Sequence, residues 1–411
     1  MADLVIKNIG ELVSLAPLAN EKRSTDITSS DLGLIQNAWL AIKDGKVAAY
    51  GSSKVDEAYA MLPSVDAEGG LVLPGLVDCH THPIFGGDRS NEFAQRLDGF
   101  SYQEIAAKGG GIKSSIKHTR SESDESLSHK LLKQLDRFLT FGVTSVECKS
   151  GYGQSPEEEL RILRLIKKSK DHTKQFLSST YLGLHARPAD CPSQEEFISK
   201  MTETLDHVAQ EELADWVDAF VEKNYFEPHE CEQYFQKAKS LGLGVRIHAD
   251  EFADSGAAAA SAKWGAASAD HLEEASAEGI QAMAEQGVVA VLLPGTSIYS
   301  KIKFAQAKPF LDKSCAVALA TDYNPGSCQI DNLPMIASLG ALHCGLTSSQ
   351  AVAAVTYVAA KSMGIESRKG HLAVGADADF LIHPAGTKDA WLSDFGRHLP
   401  SSVFIGGEKL K

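Results

Sequence analysis

Two histidines separated by a single residue follow a short apolar run near the first fifth of the chain. Residues 71–77 are apolar or small, and His80 and His82 come directly after them. Alternate residues of a β-strand point to the same face, so the two imidazoles are expected to project together from the strand's carboxyl end. Two imidazoles placed in this way can chelate one metal ion. The same spacing also fits two surface histidines beside a turn.

Residue types that bind metals end three later apolar runs as well. They are His248, His271 and Asp322. Imidazole and carboxylate groups at one rim suit a single zinc or iron ion that keeps a position open for water. Such an ion lowers the pKa of its water and polarises the carbonyl under attack. The sequence therefore predicts a hydrolytic metal centre.

A hydrolytic centre also needs a group that moves a proton from the water to the leaving atom. The sequence offers three candidates for this role, Asp322, Glu251 and His271. Asp322 could serve as ligand and proton acceptor, whereas Glu251 lies three residues after His248 and could instead orient that ligand. The choice of general base stays open at this level.

Strand-length apolar runs alternate with amphipathic helical segments through the middle of the chain. The runs are residues 71–77, 143–146, 176–184, 216–221, 243–247, 266–270, 288–293 and 317–320. About eight strands alternating with helices predict a (β/α)8 barrel, whose active site lies at the carboxyl ends of its strands. An open, doubly wound sheet is the alternative.

The two chain ends differ in sequence pattern from the middle of the chain, with short strand-like runs separated by turns. Residues 38–42 and 46–50 flank Asp44-Gly45, a strong hairpin signal, and residues 378–382 and 402–407 are strand-like. Neither end can bury a sheet alone. We therefore expect residues 1–70 and 370–411 to form one small β-sandwich domain beside a catalytic barrel of residues 71–369.

Charge and cysteine usage narrow the classes of partner. The 411 residues carry 40 Lys and Arg against 54 Asp and Glu, a net charge of −14. This balance argues against nucleic acid or an anionic membrane as the main partner and favours a small-molecule substrate. Seven scattered cysteines without a CxxC pair, no signal-peptide pattern and no long apolar run favour a cytoplasmic location.

Two stretches resemble signatures of the amidohydrolase superfamily. Residues 73–82 resemble its first barrel strand, and residues 370–379 resemble the return of the chain to its β domain. More specific stretches resemble the imidazolonepropionase family, in order and essentially end to end. They are residues 85–90, 108–112, 147–153, 180–186, 248–251 and 321–327. The resemblance implies that the chain opens 4-imidazolone-5-propanoate to N-formimidoyl-L-glutamate in histidine degradation.

The resemblance also implies roles for individual residues. The implied metal ligands are His80, His82, His248 and Asp322, and they would hold one zinc or iron ion. The implied substrate contacts are Arg89, Tyr102, Tyr152, His185, Glu251, Asn324, Gly326 and Ser327. Arg89 could fork onto a substrate carboxylate, and His185 could donate to the ring carbonyl as its oxygen gains charge.

The sequence also bears on the number of metal ions, on two alternative functions and on the number of subunits. Related two-metal enzymes use a lysine on the fourth strand, and the interior of residues 216–222 has none, so one ion is expected. A cytosine- or guanine-type deaminase of the same superfamily is the nearest alternative, because it pairs a metal-binding His with a Glu three residues later. A non-catalytic scaffold is a second alternative, and a homodimer is a family-level expectation.

Overall fold

The chain folds around two eight-stranded sheets, and the computed structural model describes residues 3–100, 104–105, 110–397 and 399–411. The strands are β1 Leu4–Val13, β2 Leu34–Lys43, β3 Lys46–Ser52, β4 Ser64–Asp66, β5 Leu71–Pro74, β6 Leu76–Asp78, β7 Val143–Lys149, β8 Phe176–Leu184, β9 Trp216–Val221, β10 Gly244–Ala249, β11 Ser268–His271, β12 Val289–Leu292, β13 Val317–Leu319, β14 Phe380–His383, β15 Ser402–Ile405 and β16 Glu408–Lys409.

Strands β6 to β13 form the larger unit, and each pairs in parallel with the next strand along the chain. Helices follow most of these strands. They are Ser90–Leu97, Ile112–Ser121, Asp124–Thr140, Pro156–Ser169, Gln194–Gln210, Pro228–Ser240, Ala257–Trp264, Ala277–Gln286, Pro294–Ser300, Ala307–Leu311, Leu333–His343, Ser348–Ala354 and Tyr357–Ser362. The predicted barrel fold is confirmed, because eight parallel strands alternating with helices are its defining feature.

Hydrogen bonds between the first and last barrel strands join the two edges of this sheet. Thr81 and Tyr323 form a parallel bridge, and the His82 N–H donates to the Tyr323 carbonyl at 2.8 Å. Just below them, Thr321 Oγ1 donates to Asp78 Oδ2 at 2.7 Å. The edges therefore meet at the carboxyl ends of the strands, where a barrel carries its active site.

Strands from both chain ends build the smaller sheet, as the sequence predicts. Its order is β16-β15-β14-β5-β1-β2-β3, with β4 also paired to β1. The predicted hairpin joins β2 to β3, and both Asp44 and Gly45 have positive φ (52° and 74°), the signature of a type I′ turn. Two short helices, Ala16–Glu21 and Lys388–Ser393, accompany this part of the chain.

The apolar run at residues 71–77 is divided between the two sheets. β5 pairs with β1 and β14 in the smaller sheet, whereas β6 pairs with β7 in the barrel. The chain crosses at Gly75, where a Cβ atom would overlap the side chain of Thr144. Hydrophobicity alone cannot reveal this division, because both halves of the run are fully buried.

In the parts of the chain that the structure describes, no helix combines the length and apolar character needed to span a lipid bilayer.

Candidate metal centre and active site

The residue types singled out as metal-binding lie together at the carboxyl ends of the barrel strands. His80 and His82 follow β6, His248 lies within β10, His271 ends β11, and Asp322 follows β13. Each of the five side chains belongs to a residue that is at most 3% exposed. The barrel topology therefore brings residues almost 250 positions apart in sequence into one buried cluster.

The donor atoms of the five residues lie around one point, in two groups of three that share His80: His82 and His248 complete one group, and His271 and Asp322 complete the other. His82 Nε2 lies 3.3 Å from His248 Nε2. Asp322 Oδ1 lies 3.5 Å from both His80 Nε2 and His82 Nε2. Three ring nitrogens and one carboxylate oxygen at such separations are donor types that suit a metal ion such as zinc.

Carboxylates hold two of the imidazoles from the side away from this point. Asp270 Oδ2 accepts from His80 Nδ1 at 2.6 Å, and Asp218 Oδ1 lies 3.1 Å from His248 Nδ1. An ionised carboxylate can only accept, so each Nδ1 carries the proton and each Nε2 presents a lone pair to the centre. His80 Nε2 is buried and has no hydrogen-bond partner among the described residues, as expected of an atom that awaits a cation.

Burial keeps the histidines of this cluster neutral, and the neutral imidazole is the form that binds metals. Burial lowers the pKa of His80, His82 and His271 well below the ordinary value, and neighbouring imidazoles lower it further. Burial also raises the pKa of Asp322 to about 6, against the opposing effect of its bond from Thr296 Oγ1. That hydroxyl donates to Asp322 Oδ2 at 2.5 Å and leaves Oδ1 directed at the imidazoles.

Two candidate ligating or proton-carrying residues adopt the left-handed backbone conformation. His271 has φ 79° and Asp322 has φ 51°. A non-glycine residue in this region costs about 1–3 kcal/mol, and such residues concentrate at functional sites. The strand ends are therefore held in turns that the surrounding barrel must stabilise.

Glu251 lies beside the cluster, close to His271 but beyond direct hydrogen-bond distance. Its Oε2 is 3.8 Å from His271 Nε2, and Glu273 Oε2 is 3.8 Å from His271 Nδ1 on the opposite side of the ring. Burial raises the pKa of Glu251 well above its ordinary value, and the Glu273 and Asp322 carboxylates add to this effect. Two buried carboxyl groups therefore flank one neutral imidazole at the edge of the candidate metal centre.

A cavity of about 420 Å³ opens above the cluster. Six of the predicted substrate contacts line it, namely Arg89, Tyr152, His185, Glu251, Asn324 and Ser327. An aromatic wall that the sequence analysis did not anticipate consists of Phe220, Tyr225 and Phe252. The cavity thus combines polar groups with apolar surface, as small-molecule sites usually do.

Arg89 lies in this cavity with its guanidinium group held by a neighbouring helix. Its Nε and Nη2 lie 2.9 and 2.8 Å from Glu92 Oε2, in the helix Ser90–Leu97. The adjacent Asp88, the obvious partner from sequence, bonds to Ser90 instead. Gly326 lies behind the guanidinium group, where a Cβ atom would overlap Arg89 Nη1. Gly326 therefore provides room for Arg89.

Asn324 shapes the loop after β13 that carries these residues. Its Oδ1 accepts from the N–H groups of Gly326 and Ser327 at 2.8 and 2.7 Å, and its Nδ2 donates to the Asp322 carbonyl at 2.7 Å. This side chain imitates a backbone turn, which is a common role of asparagine. The loop holds Ser327 at the cavity next to the Asp322 carboxylate.

His185 presents a hydrogen-bond acceptor to the cavity, which differs from the role expected from sequence. Its Nδ1 lies 2.9 Å from the Gly151 carbonyl, which can only accept, so Nδ1 carries the proton. Burial lowers the pKa of His185 to about 3, so the ring is neutral and Nε2 has a lone pair. The sequence predicts that His185 donates a hydrogen bond to a ring carbonyl. A neutral His185 in this tautomer has no N–H at Nε2 with which to do so.

Tyr152 packs beside His185, with ring centroids 5.5 Å apart. Its loop is fixed from below by Glu159, which accepts from the N–H groups of Gly151 and Gly153 at 2.9 and 2.7 Å. A Cβ atom at Gly151 would crowd His185 Nδ1 at 2.9 Å, so glycine permits the contact described above. Tyr102, a further predicted contact, lies outside the described residues.

Several residues of the site escaped the sequence analysis. Asp218 and Asp270 orient imidazoles, Thr296 holds Asp322, and Lys149 lies fully buried beneath them. A usable signal existed for Asp218 and Lys149, since a charged residue inside an otherwise apolar barrel strand must have a buried partner. Thr296 gave no such signal.

Comparisons with known proteins agree with this architecture. Residues 71–409 match the Amidohydrolase family. The chain is 41% identical to an imidazolonepropionase of Geobacillus sp. (strain WCH70), covering 99% of this chain and 97% of the relative. It is 38% identical to the imidazolonepropionase of Fusobacterium nucleatum, covering 99% and 98% of the two chains.

Solved structures share the fold at low sequence identity. An adenosine deaminase from Xanthomonas campestris with bound zinc has a TM-score of 0.72 at 17% identity, covering 99% of this chain and 92% of the other. An atrazine chlorohydrolase from Arthrobacter aurescens, complexed with zinc and atraton, has a TM-score of 0.75 at 15% identity, covering 99% and 95%. These structures share the fold, while the family match over residues 71–409 and the full-length relatives establish that the chain belongs to the amidohydrolase family and, within it, to the imidazolonepropionases.

Proposed function

We propose that this chain hydrolyses the ring of 4-imidazolone-5-propanoate to N-formimidoyl-L-glutamate, a step of histidine catabolism. The observation that carries the proposal is the convergence of three imidazoles and one carboxylate beneath a cavity that also contains Arg89. The first feature suits hydrolysis of a C–N bond, and the second suits a substrate with a carboxylate tail. Full-length relatives that are named imidazolonepropionases support the same assignment.

The proposed metal ligands are His80, His82, His248 and Asp322, with one zinc or iron ion for each chain. The ion, when bound, supplies a water of lowered pKa and polarises the carbonyl that this water attacks. The protein's own contribution is to keep the imidazoles neutral and correctly turned, which Asp270 and Asp218 do through the Nδ1 atoms of His80 and His248. The donor set accepts zinc and iron alike.

Arg89 is proposed to bind the carboxylate tail of the substrate. A guanidinium group offers a planar fork that matches a carboxylate, and Glu92 fixes its orientation at 2.8 Å. Ser327 also lines the cavity, and its hydroxyl can add a hydrogen bond to the tail, whereas the amide of Asn324 holds the loop. His185 Nε2, as an acceptor, is proposed to take a hydrogen bond from a ring N–H, while Tyr152 packs against the ring.

Glu251 is proposed as the group that carries the proton from the attacking water to the leaving nitrogen. It lines the cavity, is 7% exposed, and has no part in the proposed ligand set. His271 Nε2 lies 3.8 Å from Glu251 Oε2 and can relay a proton to or from that carboxyl group. Asp322 remains the alternative base, because a ligand carboxylate can also touch the water. Activity in a Glu251→Gln variant close to that of the unsubstituted protein would move the role to Asp322.

The experiment that tests the function is an assay with freshly prepared 4-imidazolone-5-propanoate. We expect loss of the substrate's ultraviolet absorbance and formation of N-formimidoyl-L-glutamate, without release of ammonia. Parallel incubations with cytosine and guanine test the deaminase alternative. Ammonia from either base, with no turnover of the imidazolone, would overturn the proposal, and inactivity on all three substrates would revive a scaffold role. A homodimer and a cytoplasmic location stay predictions.

A further inference from the structure

Lys149 is a wholly buried lysine at the end of β7 that has no role in the function proposed above. It is 0% exposed and lies beneath the cluster of imidazoles. Its ammonium group contacts three buried carboxylates, at 2.8 Å from Asp218 Oδ2, 2.9 Å from Glu147 Oε1 and 4.0 Å from Asp270 Oδ2. A buried charge costs several kcal/mol unless it is paired, so the position of Lys149 and the positions of these carboxylates depend on one another.

Each of these carboxylates leads to a proposed metal ligand. Both carboxylate oxygens of Asp218 lie 3.1 Å from His248 Nδ1, and Asp270 accepts from His80 Nδ1 at 2.6 Å. Glu147 Oε2 accepts from the backbone N–H of Thr81 at 3.2 Å, and Thr81 separates His80 from His82. One ammonium group is therefore connected to His248 through Asp218, to His80 through Asp270, and to the backbone between His80 and His82 through Glu147.

The charge of Lys149 persists in this environment. Burial alone would lower its pKa, but the Asp218 and Glu147 carboxylates outweigh that effect and raise the pKa above its ordinary value. Arg246, also fully buried, lies 3.6 Å from Asp270 Oδ2 and gives that carboxylate a second cation. Among the described residues, Lys149 is the only lysine or arginine whose side chain forms an ion pair with Asp218. Asp218 therefore depends on Lys149 as its cationic partner far more than Asp270 does, because Asp270 also contacts Arg246.

We propose that Lys149 is a positioning residue, which fixes the carboxylates of Asp218, Asp270 and Glu147 so that the three imidazoles are held ready for the metal ion. The proposal rests on the proposed metal centre. Without the ammonium group, Asp218 is free to turn away from His248 Nδ1, and His248 would lose the acceptor that keeps its Nε2 directed at the candidate metal position. Outer groups of this kind typically change metal affinity by about 10–100-fold.

The test is the metal affinity of a Lys149→Met variant, measured by titrating metal-free protein with Zn²⁺ in competition with a chromophoric chelator. We expect an affinity lower by about 10–100-fold, with retained secondary structure. Lys369→Met is the matched control. Lys369 is 7% exposed and paired with Asp377 at 3.0 Å and with Asp379, but it lies in the segment returning to the smaller sheet. Its substitution should reduce stability and leave Zn²⁺ affinity unchanged.

A double-mutant cycle with Asp218→Asn tests the route of the effect. If Lys149 acts through Asp218, Lys149→Met weakens Zn²⁺ binding less in the Asp218→Asn background than in the unsubstituted protein. Equal weakening in the two backgrounds would overturn the route. Zn²⁺ affinity of folded Lys149→Met equal to that of Lys369→Met would overturn the proposal, whereas failure of the unsubstituted protein to bind Zn²⁺ would overturn the metal centre itself.

A variant with a compensated charge covers the case in which Lys149→Met does not fold. Lys149→Met with Glu147→Gln removes one positive and one negative charge from the same cluster and still leaves Asp218 without its ammonium partner. The same loss of Zn²⁺ affinity is expected. Failure of this variant to fold as well would contradict the proposal, because Lys149 would then be required for the barrel rather than for the imidazoles.

Discussion

The backbone N–H of Asp322 donates a hydrogen bond to the carbonyl of His80 across 3.0 Å. These residues follow the last and first strands of the barrel, so the contact that closes the barrel also sets two proposed metal ligands side by side. Closure and ligand placement are therefore one structural feature. A substitution that weakens either edge strand should therefore displace the proposed metal ligands before it destabilises the rest of the fold.

Replacement of His80 should remove metal and turnover together. His80→Ala removes one of the four proposed ligands and the imidazole that donates to Asp270, so we expect metal content near zero and turnover reduced by at least about a thousandfold. Metal analysis of purified protein and the imidazolone assay measure the two effects. His172→Ala, at an exposed position, is the control. Normal turnover in His80→Ala would refute the ligand assignment.

Replacement of Arg89 should weaken substrate binding and spare the metal. A charge-assisted hydrogen bond contributes about 1.5–3 kcal/mol, so Arg89→Ala should raise KM by about 10–100-fold. Because the buried Glu92 carboxylate loses the guanidinium group and keeps the Gly111 N–H as a donor, thermal stability should fall as well. KM, kcat and metal content are measured on the same preparation. Parallel loss of metal and substrate binding would assign Arg89 a structural role.

A methyl group behind Arg89 should have a milder version of the same effect. In Gly326→Ala, the added Cβ would overlap Arg89 Nη1 and displace the guanidinium group into the cavity. We expect KM to rise while metal content stays normal. Gly386→Ala is a matched control, because the nearest atom to a Cβ there lies 4.0 Å away. A KM that is the same in both variants would show that Arg89 does not bind the tail.

Removal of the metal should lower the stability of the barrel. An ion that binds only the folded state adds about 2.7 kcal/mol to the free energy of unfolding when its free concentration is 100 times Kd. Metal-free protein should therefore unfold at a lower Tm, and added Zn²⁺ should restore it in a concentration-dependent way. Calorimetry with and without chelator measures the shift. A Tm that is independent of Zn²⁺ would contradict binding to the folded state.

Acid should weaken the junction between the two chain ends. Burial opposes ionisation of Asp377, but Lys46 and Lys369 hold the pKa of its carboxyl below the ordinary 3.8. A lowered folded pKa stabilises the protein above pH 3.8, and this contribution is lost as pH falls further, through the folded pKa. Asp377→Asn should therefore reduce the free energy of unfolding at pH 7 by about 1 kcal/mol and reduce it less near pH 3.

Denaturant unfolding at the two pH values checks this sign. Asp136→Asn, which removes an exposed carboxylate that pairs with Lys411, is the control and should change little at either pH. A larger effect of Asp377→Asn at pH 3 than at pH 7 would show that the carboxyl is neutral in the folded protein.

The barrel and most of its rim could be predicted from the sequence because both are encoded locally. Buried parallel strands are continuous apolar runs, and a His or Asp that ends such a run must lie at the rim. β8 and β9 coincide with the predicted runs at residues 176–184 and 216–221. The division of residues 71–77 at Gly75 could not be predicted, since only long-range pairing determines which sheet each half joins.

Side-chain partners were the least predictable part of the site. Glu92, rather than the adjacent Asp88, pairs with Arg89 because the helix that begins at Ser90 turns Glu92 back towards it. The tautomer of His185 depends on the Gly151 carbonyl, which is distant in sequence and carries no side-chain signal. Lys149 has one carboxylate partner, Glu147, on its own strand, but Asp218 and Asp270 come from β9 and β11, which only the barrel brings close.

Stoichiometric return of metal to metal-free protein tests the central claim most directly. Turnover of 4-imidazolone-5-propanoate, followed as Zn²⁺ or Fe²⁺ is added, should rise in proportion to bound metal and level off at one ion for each chain. Full turnover by protein that contains no metal would contradict the account.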